Sequence, residues 1–263
     1  MSKLLIGGST AGFFSMFRGT VGTFLTAEQN ELDPLVFWER TLYNDNDSDN
    51  AWEYYFEQVS DYDMRKDRIH RCSGHNILPR EYNTRVEMNR LINKYVKIKQ
   101  EIEDKVCEIV SDLGDNPLGV HVRMTDKHNC TNHGEPETGK PISLKLYQEH
   151  IDKNLEQNNS KIFLATDDFG VLEYMEERYN DKIVTTDCIR STGHKSIHHG
   201  LKGNNREKGE QVLIDCLVLS KCRHIIKGIS NVALCAMFWN LDLTCENLNS
   251  IYNNDTREDF VNG

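Results

Sequence analysis

No stretch of this 263-residue chain approaches the ~20 consecutive apolar residues that a membrane-spanning helix needs. A basic excess is missing as well: 41 acidic side chains against 31 Lys and Arg leave a net charge of −10. General nucleic-acid and anionic-membrane binders need a basic face, so both classes are excluded, although a local phosphate pocket of two or three cations is not. The eight cysteines contain no Cys-x-x-Cys pair, which removes the ligand spacing of a zinc site. The chain is long enough to bury a core without staples, so the cysteines read as reduced. Cys107, Cys216 and Cys235 sit in apolar runs and are expected to be buried as small hydrophobes. The apolar run at Leu4-Leu5-Ile6 is too short for a signal peptide, so a cytoplasmic protein is expected. The sequons at Asn46, Asn129, Asn158 and Asn254 would then be unused.

Two local patterns are also incomplete. Gly7-Gly8-Ser9-Thr10-Ala11-Gly12 follows a short strand and opens a helix, which suits an anion or simply a tight turn, but its glycine spacing is not the dinucleotide fingerprint. Asn44–Asn50 lacks the central Gly and the terminal Glu of a calcium loop.

What is present is an alternation of strands and helices, the mark of parallel sheets covered on both faces. The first part opens β-α-β: Leu4–Ile6, a helix with apolar positions 13, 14, 17, 21, 24 and 25, and Leu35–Trp38. The aromatics of Ala51–Phe56 are expected in a helix-like, packed segment, and the charges of 60–85 on a solvated face. One long amphipathic helix is expected over Val86–Leu113, ended by Gly114-Asp115-Asn116-Pro117. Strands are expected at Leu118–Val122, Lys161–Thr166, Lys182–Thr186 and His224–Lys227, with helices at 144–155, 169–179, 208–221 and 232–239. No internal repeat is visible, and the Asn-rich tail from Asn247 reads as loosely ordered. The pattern divides into two domains, 1–115 and 116–263.

Polar and charged residues collect at the predicted carboxyl ends of the second set of strands. Arg123, Asp126 and Lys127 follow the first strand, Asp167 and Asp168 the second, and Ser230-Asn231 the last. Open α/β sheets bind ligands at that edge, so residues distant in sequence converge on one crevice. An Arg at a strand end presents a rigid fork of donors to phosphate oxygens, and a Lys adds a mobile point charge.

Val120-His121-Val122-Arg123-Met124-Thr125-Asp126-Lys127 resembles the His-x-Arg-Arg-type motif of the α-1,6-fucosyltransferase superfamily, which includes core, nodulation-factor and protein O-fucosyltransferases. Three further stretches are similar in order and spacing: Phe163–Asp168, Val212–Ser220 with its Asp215, and Gly228-Ile229-Ser230-Asn231. The resemblance implies a GT-B-like α/β fold, two Rossmann-like domains with parallel sheets facing across a cleft. The first would serve the acceptor and the second would hold the nucleotide sugar. It implies transfer of L-fucose from GDP-fucose to a glycan hydroxyl with inversion, with no metal or other cofactor.

Carried over by position, Arg123 would hold the β-phosphate and His121 would lie beside the nucleotide. Asp215 would accept hydrogen bonds from the guanine edge, and Ser230 or Asn231 would touch phosphate or ribose. Asp126 and Lys127 would organise the reacting end, while Asp167 and Asp168 would support the sheet edge or the Arg. Gly12 and Phe13, at the end of the glycine loop, complete the donor-binding set. The chain departs from the pattern in two places: the motif's second Arg is Met124, and the catalytic Glu position falls near Thr131. Glu135, with Glu137 beside it, is the candidate base. Alternatives on the same residues are a transferase using another nucleotide sugar, a binding protein without turnover, a metal-dependent enzyme built on Asp167-Asp168, and a metal-binding His194–His199 loop.

Overall fold

A computed structural model of the protein describes residues 2–63, 67–73, 84–124, 142–192 and 204–249. They form two compact units. The first comprises the chain up to Asp104 and a return segment ending at Val212; the second starts at Lys105 and resumes at Leu213. The division between Asp104 and Lys105 therefore falls inside a helix.

The first unit is a three-stranded parallel sheet in the order β2-β1-β3, where β1 is Ser2–Gly7, β2 Asp33–Phe37 and β3 Arg68–Ser73. Helix α1, Phe13–Gln29, is buried along nearly its whole apolar face because Phe13, Phe14, Phe17, Val21, Phe24 and Leu25 recur at helical spacing. Phe13 lies edge-on to Trp38, Tyr43 and Tyr55, with centroids 5.1–5.6 Å apart. Trp52 and Tyr55 of the four-residue helix α2, Trp52–Tyr55, join this aromatic core as expected. Gly8 is required where the chain leaves β1: a Cβ there would lie 3.0 Å from the Trp38 Cα and collide with the Thr41 methyl.

Two features of this unit were not expected. Arg68–Ser73 is an edge strand whose backbone pairs with β1, while the charged Arg68 and Arg71 stay exposed on a solvated face. The single helix expected over 86–113 is two helices, α3 (Arg85–Tyr95) and α4 (Gln100–Leu113). Between them Ile98 bridges Phe56 in antiparallel fashion, the Glu57 N–H donates to the Lys97 carbonyl at 2.8 Å, and the Lys99 N–H to the Tyr55 carbonyl at 3.0 Å. Tertiary pairing of a β-branched stretch has overridden a continuous helical period. Cys107 is also corrected: it is exposed, one position beyond buried Val106 on α4, where the helix has rotated it away from the core. Cys216 and Cys235 are buried as expected.

The second unit is a five-stranded parallel sheet in the order β6-β5-β4-β7-β8, with β4 Leu118–Val122, β5 Ile162–Thr166, β6 Ile183–Val184, β7 His224–Lys227 and β8 Thr244–Asn247. All five residues of β4 are buried, as a central parallel strand requires. Leu118, Val120 and Val122 face a core that includes Tyr147 and Ile151 of α5 (Leu144–Gln157) and Val171 and Met175 of α6 (Phe169–Tyr179). Gly119 faces the other side. A Cβ there would lie 3.0–3.2 Å from Leu219, Cys222 and Ile225, so its missing side chain lets α7 (Asn205–Ser220) pack close. Helix α8, Asn231–Trp239, follows β7.

The strand expected over 182–186 is only two residues long, because Thr185 and Thr186 turn their hydroxyls to other partners. At the start of the tail, Leu248 is fully buried in the core and Asn249 is buried, and the rest of the tail lies outside the described residues.

Candidate active site

The strand order places the chain reversal of the second unit at β4. Connections from β4 run through β5 to β6 on one side, while β7 and β8 lie on the other, and such a switch point opens a crevice at the carboxyl ends of the strands. The exits of β4, β5, β6 and β7 are pinned to one another there by side chains.

At the β4 exit, Arg123 is half-buried, and the next N–H, that of Met124, donates to Asp167 Oδ1 at 3.1 Å. Asp167 follows β5, so its carboxylate fixes the backbone beside Arg123. Asp168 acts elsewhere, its Oδ1 accepting the Val171 N–H at 3.1 Å to cap α6. The paired carboxylates thus diverge, and among the described residues no group of three or more acidic, His or Cys side chains could hold a metal ion. Met124 does not imitate the arginine of the motif; its side chain packs against the hydrophobic core.

At the β7 exit, the hydroxyl of buried Tyr147 donates to the His121 carbonyl at 3.1 Å and accepts the Gly228 N–H, so one phenol spans the ends of β4 and β7. Burial raises its pKa well above the ordinary tyrosine range. Asn249 Oδ1 accepts the Ile229 N–H at 2.6 Å from the far side. A Cβ on Gly228 would come 3.0 Å from that oxygen. The turn so held delivers Ser230, whose hydroxyl accepts the Val232 N–H at 3.1 Å and caps α8, and Asn231 begins the helix. The N-terminus of a helix at a switch point favours an anion.

At the β6 exit, the segment Thr185–Ser191 lies along the end of β5. The Thr185 hydroxyl donates to the Leu164 carbonyl at 2.8 Å, and the Ser191 N–H to the Asp167 carbonyl at 2.9 Å. Arg190 closes the turn from within, donating to the Thr185 hydroxyl at 2.6 Å and the Thr186 carbonyl at 2.7 Å. Thr186 in turn donates its hydroxyl to Oδ1 of Asp215, on α7, at 2.7 Å. Burial raises the Asp215 pKa to about 6, opposed by the Thr186 hydrogen bond and the Arg190 charge and reinforced by Asp167. The Cys188 thiol in this turn is pushed up to about 11, chiefly by burial.

Of the residues named from sequence, His121, Arg123, Asp167, Asp168, Asp215, Ser230 and Asn231 all belong to the second unit, five of them at strand exits or helix starts. His121 alternates onto the face of β4 shared with Gly119, the face α7 covers. Gly12 and Phe13 belong to the first unit. Gly12 precedes α1 with open space at its Cα, while the Phe13 ring is core and its N–H donates to the Tyr43 hydroxyl at 2.7 Å. Asp126, Lys127, Glu135 and the His194–His199 loop lie outside the described residues. Tyr147, Thr186, Arg190 and Asn249 escaped the sequence reading. The only signal for them was a pair of threonines at the end of a predicted strand and an arginine just past it.

Residues 80–242, more than half of the chain, match the family model of nodulation protein Z (NodZ). No curated protein matches by sequence. The fold resembles that of NodZ α-1,6-fucosyltransferase soaked with GDP-fucose, with TM-score 0.60 and 16% identity over 91% of this chain and 93% of the other. It also resembles the fucosyltransferase NodZ from Bradyrhizobium, with TM-score 0.58 and 16% identity over 91% and 94% of the two chains. POFUT1 in complex with GDP is similar as well, at TM-score 0.57 and 8% identity over 93% and 98%. The two parallel-sheet α/β units are thus those of the GT-B fold.

Proposed function

Because this chain belongs to the nodulation protein Z (NodZ) family, we propose that it is a fucosyltransferase that moves L-fucose from GDP-fucose to a glycan hydroxyl. The observation that carries this reading is the site at the switch point of the second sheet: Arg123 leaves β4 beside a backbone fixed by Asp167, near the turn that opens α8. The diphosphate would lie there, its charge met by the Arg123 guanidinium and the α8 N-terminus. Asp215, an acceptor-only group when ionised, suits the N1–H and 2-amino donors of guanine.

In the reaction, the bond from the fucose anomeric carbon to the β-phosphate oxygen breaks as a bond to the acceptor oxygen forms on the opposite face. The acceptor proton passes to a carboxylate base, for which Glu135 is the candidate. Negative charge develops on the leaving GDP, and a preorganised guanidinium stabilises it. Such a clamp suffices without a metal, and we assign the donor to the second unit and the acceptor to the first.

Calorimetric titration with GDP tests the site. Wild type is expected to bind and Arg123→Ala to lose at least tenfold in affinity, with fucose transfer from GDP-fucose surviving excess chelator. Absence of binding to any nucleoside diphosphate would overturn the reading. Met124 favours one further possibility, a protein that holds the nucleotide without turnover, because its side chain supplies no second cation. Product formed from GDP-fucose on any acceptor of a glycan array excludes it.

A further inference from the structure

Thr186 is buried at the β6 exit, and its hydroxyl is the one side-chain donor seen on Asp215, which it meets at one oxygen only. The second carboxylate oxygen takes no protein hydrogen bond among the described residues. A carboxylate anchored at one oxygen and open at the other can present only one orientation to a ligand. Thr186 is itself held. Its carbonyl accepts from Arg190 at 2.7 Å and from the Cys188 N–H at 2.9 Å, and Arg190 reaches back to Thr185 at 2.6 Å. The chain of contacts runs from Arg190 through the backbone of Thr186 to its hydroxyl and on to Asp215.

We propose that Thr186, locked by Arg190, is a positioning residue that sets base specificity by orienting Asp215 toward the donor-bearing edge of guanine. This inference rests on the reading of the second unit as the GDP-fucose site. Guanine carries two donors on that edge, N1–H and the 2-amino group, whereas hypoxanthine keeps only N1–H. A carboxylate fixed by Thr186 distinguishes the two, and a carboxylate free to rotate re-forms its contacts with either. Arg190 touches no carboxylate oxygen among the described residues; besides the pull of its charge on Asp215, it acts through the Thr186 turn.

The experiment compares GDP and IDP binding by calorimetry, and GDP-fucose kinetics, in wild type, Thr186→Val and Thr186→Ser, with folding checked by thermal unfolding. Valine keeps the shape and removes the hydroxyl; serine restores the donor. In Thr186→Val, GDP affinity is expected to fall about tenfold and the preference for GDP over IDP to shrink toward one. KM for GDP-fucose should rise by a similar factor while kcat stays within about twofold, and Thr186→Ser should recover most of the preference. In an Asp215→Asn background, Thr186→Val should add little, because the group it orients is gone. Wild-type binding of GDP with an unchanged GDP-to-IDP ratio in Thr186→Val overturns the positioning role alone. Equal losses in the Asp215→Asn background, showing additivity, overturn it too. Wild type that binds neither nucleotide overturns the donor-site reading and this inference with it.

Discussion

The Tyr147 hydroxyl donates to the His121 carbonyl at 3.1 Å while accepting the Gly228 N–H, so α5 spans the gap between two strands that are neighbours in the sheet but far apart in sequence. The phenol is buried, and phenylalanine would keep its packing while removing both of these bonds. Tyr147→Phe is therefore expected to destabilise the protein by about 1–2 kcal/mol, the usual cost of leaving buried partners unmet. It should also raise KM for the donor, because the turn before Ser230 loses one of its two anchors. Chemical denaturation and steady-state kinetics on the same variant check both effects.

Gly209 lies in the first turns of α7, where an added Cβ would collide with the Tyr55 hydroxyl and approach the Tyr43 ring to 3.2 Å. Gly209→Ala would ordinarily favour a helix. Here overpacking outweighs the gain, and a loss of about 1–3 kcal/mol is expected. Pairing it with Tyr55→Ala removes both the hydroxyl and the ring carbon in the way, so the double variant should unfold at a higher temperature than the two single losses predict. Strict additivity in thermal unfolding would show that the clash is not the cause.

Asp215 gives a pH prediction with a definite sign. Its pKa in the folded protein is about 6 and its ordinary value 3.8, so the native state favours the protonated form. The ionised carboxylate costs stability above about pH 6, and the cost fades as pH falls from 6 toward 4. Asp215→Asn should therefore stabilise at pH 7.5, by on the order of 1–3 kcal/mol, while weakening GDP binding. Wild-type GDP affinity should decline as pH drops through 6. Thermal melts and titrations at pH 5, 6 and 7.5 separate the two effects.

Glu28, on α1, shows the opposite case. Arg90 on α3 forks onto both of its oxygens, at 3.1 and 2.7 Å, and holds its pKa down at about 2 against desolvation, with Lys94 and Tyr95 assisting. The stability it contributes is present above the ordinary value of 4.5 and lost as pH falls toward 2. Arg90 is partly exposed, so solvent screening reduces the gain to about 1 kcal/mol. Glu28→Gln should lose that amount at pH 7 and show a shallower acid-unfolding profile than wild type.

Much of the second unit was legible because its signals are local. Leu118–Val122 and Ile162–Thr166 read as buried strands from continuous apolar content, and their polar ends marked the edge where Arg123 and Asp167 lie. What escaped depends on partners supplied from elsewhere in the chain. Thr244–Asn247 and Arg68–Ser73 are edge strands whose side chains show no inward alternation; backbone pairing with β7 and β1 makes them strands. Val96–Lys99 keeps a helical period on paper, yet Phe56 draws Ile98 into a bridge. Tyr147, Thr186 and Asn249 could not be found from composition, because each matters through hydrogen bonds to residues remote in sequence. Asp167 and Asp168, adjacent and identical in the sequence, hold the β4 exit and cap a helix respectively, a division no spacing rule reveals.

The winding order of the second sheet has a kinetic corollary. Leu118 at the start of β4 pairs with Ile162 on one side and with His224 on the other. The first strand of this unit to be synthesised thus waits for its second neighbour until β7 has been made, and that contact closes a loop of more than a hundred residues. Pairings this distant slow folding. A chain refolding from denaturant should regain helical signal early and GDP binding only in its slowest phase, which stopped-flow circular dichroism followed alongside a fluorescent nucleotide would resolve. Nascent protein would be blind to its ligand until the ribosome has passed β7.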